Sequence, residues 1–160
     1  MTYNDQIQRL LHLFKYQQQT LVRKIFRHLL EESFSRYPMP IHLFDYAIPI
    51  PLHPVRLRER GFNQSELIAG IIREKHDIPI LSDILVRTRL TRPQSFLDQK
   101  ERWTNMEGAF RMKNCISINN KSLLLIDDLL TTGATASAAA QILKQAGAAR
   151  VGLLVVALAK

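Results

Sequence analysis

The stretch Leu123-Leu-Leu-Ile-Asp-Asp-Leu-Leu-Thr-Thr-Gly-Ala-Thr135 decides the fold class of this 160-residue chain. Its first four residues are continuously apolar, as in a strand covered on both faces, and the carboxylates Asp127 and Asp128 follow without a turn. Three hydroxyls and a flexible glycine then precede a helix, whose first amides have no partners within the helix. The stretch therefore predicts carboxylates at the end of a buried parallel strand and an anion cradle at a helix N-terminus.

The order of these groups favours one kind of ligand. Ligands of open α/β sheets bind beyond the carboxyl ends of the strands, and carboxylates there accept hydrogen bonds from vicinal hydroxyls. No lysine follows the glycine, as a P-loop requires, and no Gly-x-Gly-x-x-Gly motif is present. The pattern therefore predicts a ribose 5-phosphate unit, with its diol on the two aspartates and its phosphate on the cradle. The cradle comprises Thr131, Thr132, Gly133, Ala134 and Thr135.

Apolar periodicity predicts the other elements. Two amphipathic helices open the chain, around residues 7–14 and 21–30, because apolar residues recur there at three- and four-residue steps. Later helices are predicted from Gln64 to a point before Pro79 and over 134–146, and buried strands over 46–50, 84–87, 122–126 and 151–158. Segment 89–107 shows neither period, which predicts a long loop. Alternating strands and helices predict an α/β fold, a mostly parallel sheet flanked by helices.

Composition limits the function classes. The net charge of +8 and the pI near 10.0 favour polyanionic partners, either phosphates or nucleic acid, and segment 87–113 alone carries seven basic residues against three acids. No apolar run approaches the roughly 20 residues that cross a bilayer, and the start of the chain lacks a secretory apolar region, so we expect a cytoplasmic protein. Cys115 is the only cysteine, which excludes an internal disulfide and a cysteine-based zinc ribbon.

The stretch 123–135 resembles the phosphoribosyl pyrophosphate motif of type I phosphoribosyltransferases. Two other regions narrow the resemblance to the ComF family of competence-associated proteins. They are Pro49-Ile-Pro-Leu-His-Pro54 with Arg56 and Arg60-Gly-Phe-Asn-Gln64, and Arg89-x-Thr91-x-x-Gln94-x-x-Leu97 with Arg102, Asn105 and Ala109-Phe110. The similarity runs from about Phe14 to the C-terminus. ComF proteins commonly carry an N-terminal cysteine-rich zinc segment, for which this chain has no cysteines.

The resemblance implies a type I phosphoribosyltransferase fold and a role for each of three loops. One domain, 1–160, would consist of a helical hood at 1–40 and a core at 45–160. The loop after the first strand would hold pyrophosphate, and the candidates there are Pro51, Leu52, His53 and Arg60. The long loop would close over the substrate, with Lys100 and Arg102 on the leaving group. Asp127 and Asp128 would meet the positive charge of the ribosyl transition state and hold Mg²⁺ through water.

Several neighbouring residues have structural interpretations as well. Phe62 is expected in the core and Asn63 as the N-cap of the helix that starts at Gln64. Arg56, Arg58 and Arg60 are two apart, so no helix would place all three on one face, although a loop could turn several toward one anion. His53 either contacts pyrophosphate or a magnesium-bound water or is a packed or solvated loop histidine, and Trp103 is either a base platform or a hydrophobic latch for the loop.

Two functions remain open on this basis. In the first, an enzyme transfers phosphoribose from 5-phosphoribosyl 1-pyrophosphate to an unidentified acceptor and releases magnesium pyrophosphate. In the second, a non-catalytic protein keeps the same pocket and acts in DNA uptake by binding single-stranded DNA or competence proteins. The basic segment also contains Phe96, Trp103 and Phe110, and cations beside aromatic rings predict weak binding of single strands with little sequence preference.

Overall fold

A computed structural model describes residues 19–91, 98–113 and 117–158. The helix predicted at 7–14, together with Gln94, Phe96, Leu97 and Cys115, lies outside these residues. The helices and strands, in chain order, are α1 (Gln19–Arg36), a short 3₁₀ helix (Ile41–Leu43), β1 (Tyr46–Pro49), α2 (Pro54–Arg60), α3 (Gln64–His76), β2 (Leu85–Arg87), α4 (Gln99–Met106), β3 (Phe110–Met112), β4 (Ser122–Leu130), α5 (Ala134–Gln145) and β5 (Arg150–Leu158).

The main sheet is parallel and has the strand order β1-β4-β5. Tyr46 of β1 pairs with Leu123, and Ser122 pairs with Arg150 of β5, so the central strand is the one that carries the two aspartates. A further parallel bridge joins Ala47 to Ile80 on the other side of β1. The predicted parallel sheet flanked by helices is confirmed.

The sheet buries apolar side chains on both faces, as a parallel sheet must. On one face Leu124 and Ile126 of β4 pack in a cluster with Phe26 of α1 and Ile72 of α3. On the other face Leu123 and Leu125 pack with Leu143 of α5 and Phe110 of β3. Successive side chains of a strand point to opposite faces, which explains why an unbroken apolar run was needed in β4.

The prediction for the second strand was wrong about its sheet. Residues 85–87 form β2, but β2 pairs antiparallel with β3 in a separate two-stranded sheet, where Leu85 faces Met112. A three-residue apolar run is buried equally well in a parallel sheet or in a hairpin packed on the core, so its burial did not distinguish the two.

The prediction of an unbroken loop at 89–107 was also wrong. Residues 99–106 form helix α4, which begins with a capping box: the Asp98 carboxylate accepts from the Glu101 amide at 2.8 Å, and the Glu101 carboxylate accepts from the Asp98 amide at 2.8 Å. The sequence did not predict this helix because the helix is polar on almost every side. The apolar period that predicts amphipathic helices is therefore missing.

Two boundaries differ from the predictions for simple reasons. Strand β4 continues to Leu130 rather than ending at Ile126, because β5 runs beside it as far as the pair Leu130 and Leu158. The stretch that carries Arg56 and Arg58 is helix α2 rather than a loop, with Pro54 at its first position, where a missing N–H costs nothing. No helix in the described ranges is long and apolar enough to span a membrane.

Candidate functional site

Asp127 and Asp128 lie in β4 just beyond the last pair between β4 and β1. Asp127 Oδ1 accepts two hydrogen bonds, from the Ser65 hydroxyl at 3.1 Å and from the Asp128 amide at 3.0 Å. Burial, reinforced by the negative charge of Asp128, raises the pKa of Asp127 to about 8. Near neutral pH Asp127 therefore keeps a proton that it can donate to a diol.

The loop at 131–135 joins this pair to helix α5. Gly133 is the N-cap and has a φ of 81°, a left-handed conformation that glycine adopts without strain. Its carbonyl accepts from the Ser137 amide at 2.8 Å, which starts the helix. A depression at this edge of the sheet is lined by Asp127, Thr131, Gly133 and Thr135 among others. The structure thus brings the predicted cradle and one predicted carboxylate to a common surface.

The loop after β1 lies beside the same edge of the sheet. The Ile50 amide donates to the Ile126 carbonyl at 2.9 Å, so Pro51 and Leu52 leave the sheet next to the aspartates. His53 is the N-cap of α2, and its Nδ1 accepts from the Val55 amide at 3.2 Å. This cap gives His53 a structural role that the sequence did not indicate.

The three arginines of α2 do not act as one group. Arg56 pairs with Glu59 at 2.7 Å, Arg58 is exposed, and Arg60 is half-buried in the last turn. Phe62 is buried in the core, and Asn63 caps α3 by accepting from the Ser65 amide at 3.1 Å. Both structural predictions for these two residues are confirmed.

Arg87, at the end of β2, was counted in the basic segment 87–113 but was not predicted as a residue of this site. Its guanidinium is largely enclosed: it donates to the Thr91 hydroxyl, lies 3.4 Å from the Met106 sulfur and stands 5.6 Å from the centre of the Phe110 ring. Burial lowers its pKa, the charges of Arg60 and other arginines lower it further, and the charge of Asp127 acts in the opposite direction.

No described residue accepts a hydrogen bond from the buried Nε of Arg87. A buried guanidinium normally has a carboxylate partner, because burial of an unpaired charge is costly. Arg87 thus brings a positive charge with a spare donor close to Asp127. Its position after a β-branched strand residue resembles any strand end, so the sequence held no signal for it.

Lys100 and Arg102 lie on α4, which packs on α5. Lys100 is exposed and Arg102 is half-buried. Trp103 on the same helix is 47% exposed, whereas Phe110 is buried. The two candidate cations are thus held by a capped helix beside the helix that follows the cradle.

The side chains at the sheet edge suit a metal ion that takes most of its ligands from water and from the substrate rather than from the protein. Among residues 19–91, 98–113 and 117–158, no three histidine, cysteine or acidic side chains converge on one point. Two adjacent carboxylates remain, and Mg²⁺ is commonly held by one or two carboxylates together with waters and substrate phosphates. The residues present therefore fit a Mg²⁺ ion that arrives with a phosphorylated ligand.

The sequence matches a family model described as "Phosphoribosyl transferase domain" over residues 65–160. It is 31% identical over 144 residues to "DNA utilization protein YhgH" of Escherichia coli (strain K12), covering 89% of this chain and 63% of that protein. It is 32% identical over 148 residues to "Competence protein ComFC" of Bacillus subtilis (strain 168), covering 92% of this chain and 58% of that protein. The chain thus spans about three fifths of the length of these relatives.

Solved structures share the fold. The glutamine phosphoribosylpyrophosphate amidotransferase of B. subtilis superposes with a TM-score of 0.53 at 18% identity, over 84% of this chain and 26% of that one. An allosteric regulatory enzyme of purine biosynthesis superposes with a TM-score of 0.50 at 18% identity, over 84% of this chain and 25% of the other. Together with the family match, these findings identify the fold as that of type I phosphoribosyltransferases. The chain therefore belongs to the phosphoribosyl transferase domain family, where its relatives are the ComF and YhgH proteins.

Proposed function

We propose that this protein binds 5-phosphoribosyl 1-pyrophosphate and transfers its phosphoribosyl group to an acceptor, with release of pyrophosphate. One observation carries the proposal: Asp127 lines a single depression at the carboxyl end of the sheet together with Thr131, Gly133, Ala134 and Thr135. A ribose 5-phosphate needs a diol-binding carboxylate beside a phosphate cradle, and the family membership supports the same ligand.

In this proposal the ribose phosphate lies on the cradle and the two carboxylates face its hydroxyls. The left-handed Gly133 lets backbone approach the phosphate closely, and amides in the first turn of α5, which have no backbone partner within the helix, would donate to it. Asp127 and Asp128 hold the diol, and carboxylate charge beside the ribose stabilises the oxocarbenium-like transition state. The carboxylates need form no covalent bond.

The leaving pyrophosphate would lie on the other side of the ribose, against the loop after β1. The backbone of Pro51 to His53 and the guanidinium of Arg87 are the groups proposed to bind it there, with Arg60 adding positive charge. A Mg²⁺ ion that enters with the ligand would be held by Asp127 and Asp128 through water, and it would neutralise charge on the departing diphosphate. Lys100 and Arg102 remain candidates for covering the leaving group.

The proposal is tested by pyrophosphate release from the donor with Mg²⁺ and a panel of nucleobases and amines. Release that depends on one acceptor, and that is lost in Asp128→Asn, is the expected result. Hydrolysis at the same rate with and without every acceptor would contradict transfer. Failure of the donor to bind at all would contradict the whole proposal.

A second function is favoured by one surface observation. Trp103 is 47% exposed and Lys100 is exposed on the same helix, the kind of platform that stacks bases and binds phosphates. The name of one relative, "DNA utilization protein", refers to DNA, and together with the name "Competence protein" it supports a role in DNA uptake through single strands or competence proteins. Phe110, which is buried, contributes nothing to such a surface.

Fluorescence anisotropy with labelled single strands across a salt series tests this second function. Four phosphate contacts predict a log-log slope of about −2.8, because each contact on a single strand contributes about −0.7. Lys100→Ala with Trp103→Ala should weaken binding and reduce the slope to about −2.1, because one of the four phosphate contacts is lost, and Lys144→Ala on α5 is a control with equal charge loss. Equal binding by the double variant would remove α4 from the nucleic-acid interface.

A further inference from the structure

Asn63 and Ser65 at the start of α3 are polar but buried, and each is 3% exposed, as is Gln64 between them. The side-chain oxygen of Asn63 caps α3, because it accepts from the Ser65 amide at 3.1 Å. The cap does not account for the Asn63 side-chain amide nitrogen or for the Ser65 hydroxyl. The Asn63 amide nitrogen donates to the Ile50 carbonyl at 3.0 Å, and the Ser65 hydroxyl donates to Asp127 Oδ1 at 3.1 Å.

These bonds close a ring around the edge of the sheet. Ile50 is held twice, since its carbonyl accepts from Asn63 and its amide donates to the Ile126 carbonyl at 2.9 Å. Ile126 is bonded covalently to Asp127, which accepts from Ser65. The ring therefore joins the end of β1, the start of α3 and the aspartate of β4, and it fixes the loop that begins at Pro51 relative to the Asp127 carboxylate.

We infer that Asn63 and Ser65 are positioning residues that set the separation between a diphosphate site on the loop 51–53 and a ribose site at Asp127. This inference rests on the proposed function and deepens it. The ligand 5-phosphoribosyl 1-pyrophosphate has a ribose phosphate at one end and a diphosphate at the other, and we call it the two-ended ligand. It must occupy two sites at a fixed distance, whereas ribose 5-phosphate or pyrophosphate alone occupies one. Rigid spacing is valuable only to the two-ended ligand, because each half can adjust its own position.

The inference predicts a selective loss that a merely structural role would not produce. In Ser65→Ala the affinity for the two-ended ligand with Mg²⁺ should fall by up to about tenfold, the upper range for the loss of one hydrogen bond. The affinities for ribose 5-phosphate and for inorganic pyrophosphate should each change less than about threefold, a small part of that free energy. Calorimetric titration of all three ligands measures these values.

A second variant and a rescue keep the test independent of folding. Asn63→Ser retains an oxygen that can cap α3 but is too short to reach the Ile50 carbonyl, so it should show the same selective loss. Ser65→Thr keeps the hydroxyl and should restore affinity for the two-ended ligand. Normal binding of the two halves demonstrates that each variant is folded.

Three outcomes overturn the inference. Unchanged affinity for the two-ended ligand in Ser65→Ala and Asn63→Ser would show that the ring does not set the spacing. Equal losses for that ligand and for ribose 5-phosphate would show that Ser65 only supports Asp127. If the parent protein binds ribose 5-phosphate but not the two-ended ligand, the proposed function fails as well.

Discussion

At the scale of single residues, the least usual group is Asp127, whose buried carboxyl has a raised pKa. A group that binds its proton more tightly in the folded chain destabilises that chain as pH rises. Between the ordinary value of 3.8 and about 8, Asp127 is protonated when folded and ionised when unfolded. Its contribution to the free energy of unfolding therefore falls with rising pH through this window.

Asp127→Asn should remove this pH dependence, because the amide keeps an oxygen acceptor for Ser65 without a charge. The free energy of unfolding in urea, measured at pH 5 and at pH 8.5, reports this dependence. One proton changes that free energy by at most about 1.4 kcal/mol per pH unit. Burial lowers the pKa of His76 and makes stability rise with pH, so the readout is the difference between parent and variant. A variant with the same pH slope as the parent would contradict the assignment.

Arg87 supports a second prediction at this scale. Arg87→Met replaces a buried guanidinium with an apolar chain beside Met106 and Phe110, and such replacements are often neutral or stabilising. The variant should therefore melt no lower than the parent while losing affinity for inorganic pyrophosphate. Thermal unfolding and calorimetry measure the two effects.

Arg111→Met provides the control for Arg87. Arg111 is exposed on the neighbouring strand β3, where it pairs with Val86, and its replacement makes the same change in charge. Pyrophosphate affinity should be nearly unchanged in this control. A destabilisation of Arg87→Met by about 3 kcal/mol or more would instead assign Arg87 a structural ion pair.

At the scale of elements, the strand, loop and helix at 122–145 form the part of the molecule on which the proposed function depends. Gly133 has a φ of 81°, and an added Cβ would meet nothing closer than 3.8 Å. Gly133→Ala is therefore strained by its backbone rather than by a clash, at a cost of about 1–2 kcal/mol. The loop should relax away from this conformation, and affinity for ribose 5-phosphate should fall, as calorimetry would measure.

Gly70→Ala is the matched control for the loop. Gly70 lies within α3, has ordinary helical φ and has open space around it, so alanine there should stabilise the protein by about 0.4–1 kcal/mol. Ribose 5-phosphate should bind this control as it binds the parent. If Gly133→Ala also binds it with full affinity, the left-handed turn is not required for the phosphate site.

Sequence predicted those elements whose residues carry their own signal. The unbroken apolar run of β4 predicted a strand buried on both faces, and Asn63 predicted the N-cap of α3. Helix α4 lacked such a signal because its residues are polar all round, and β2 was too short to indicate its sheet. Contacts between distant segments, such as Ser65 with Asp127, depend on the packing of α3 against β4, which no local pattern encodes.

At the scale of the whole molecule, the parallel order β1-β4-β5 gathers the proposed groups at one edge. The loop after β1 and the start of α5 follow the carboxyl ends of neighbouring strands, and the aspartates lie in β4 beyond its last pair with β1. The antiparallel pair of β2 and β3 adds Arg87 from outside the main sheet. The excess of positive charge then suits a ligand that carries phosphates at both ends.

The central claim is that ribose 5-phosphate occupies this edge, with its phosphate on the loop 131–135 and its hydroxyls on the aspartates. Titration of the labelled protein with ribose 5-phosphate, followed by amide NMR shifts, tests it most directly. The account predicts saturable shifts that are largest from Thr132 to Thr135 and at Asp128, and much smaller on α4. Shifts confined to α4, or no saturable shift at the loop, would contradict it.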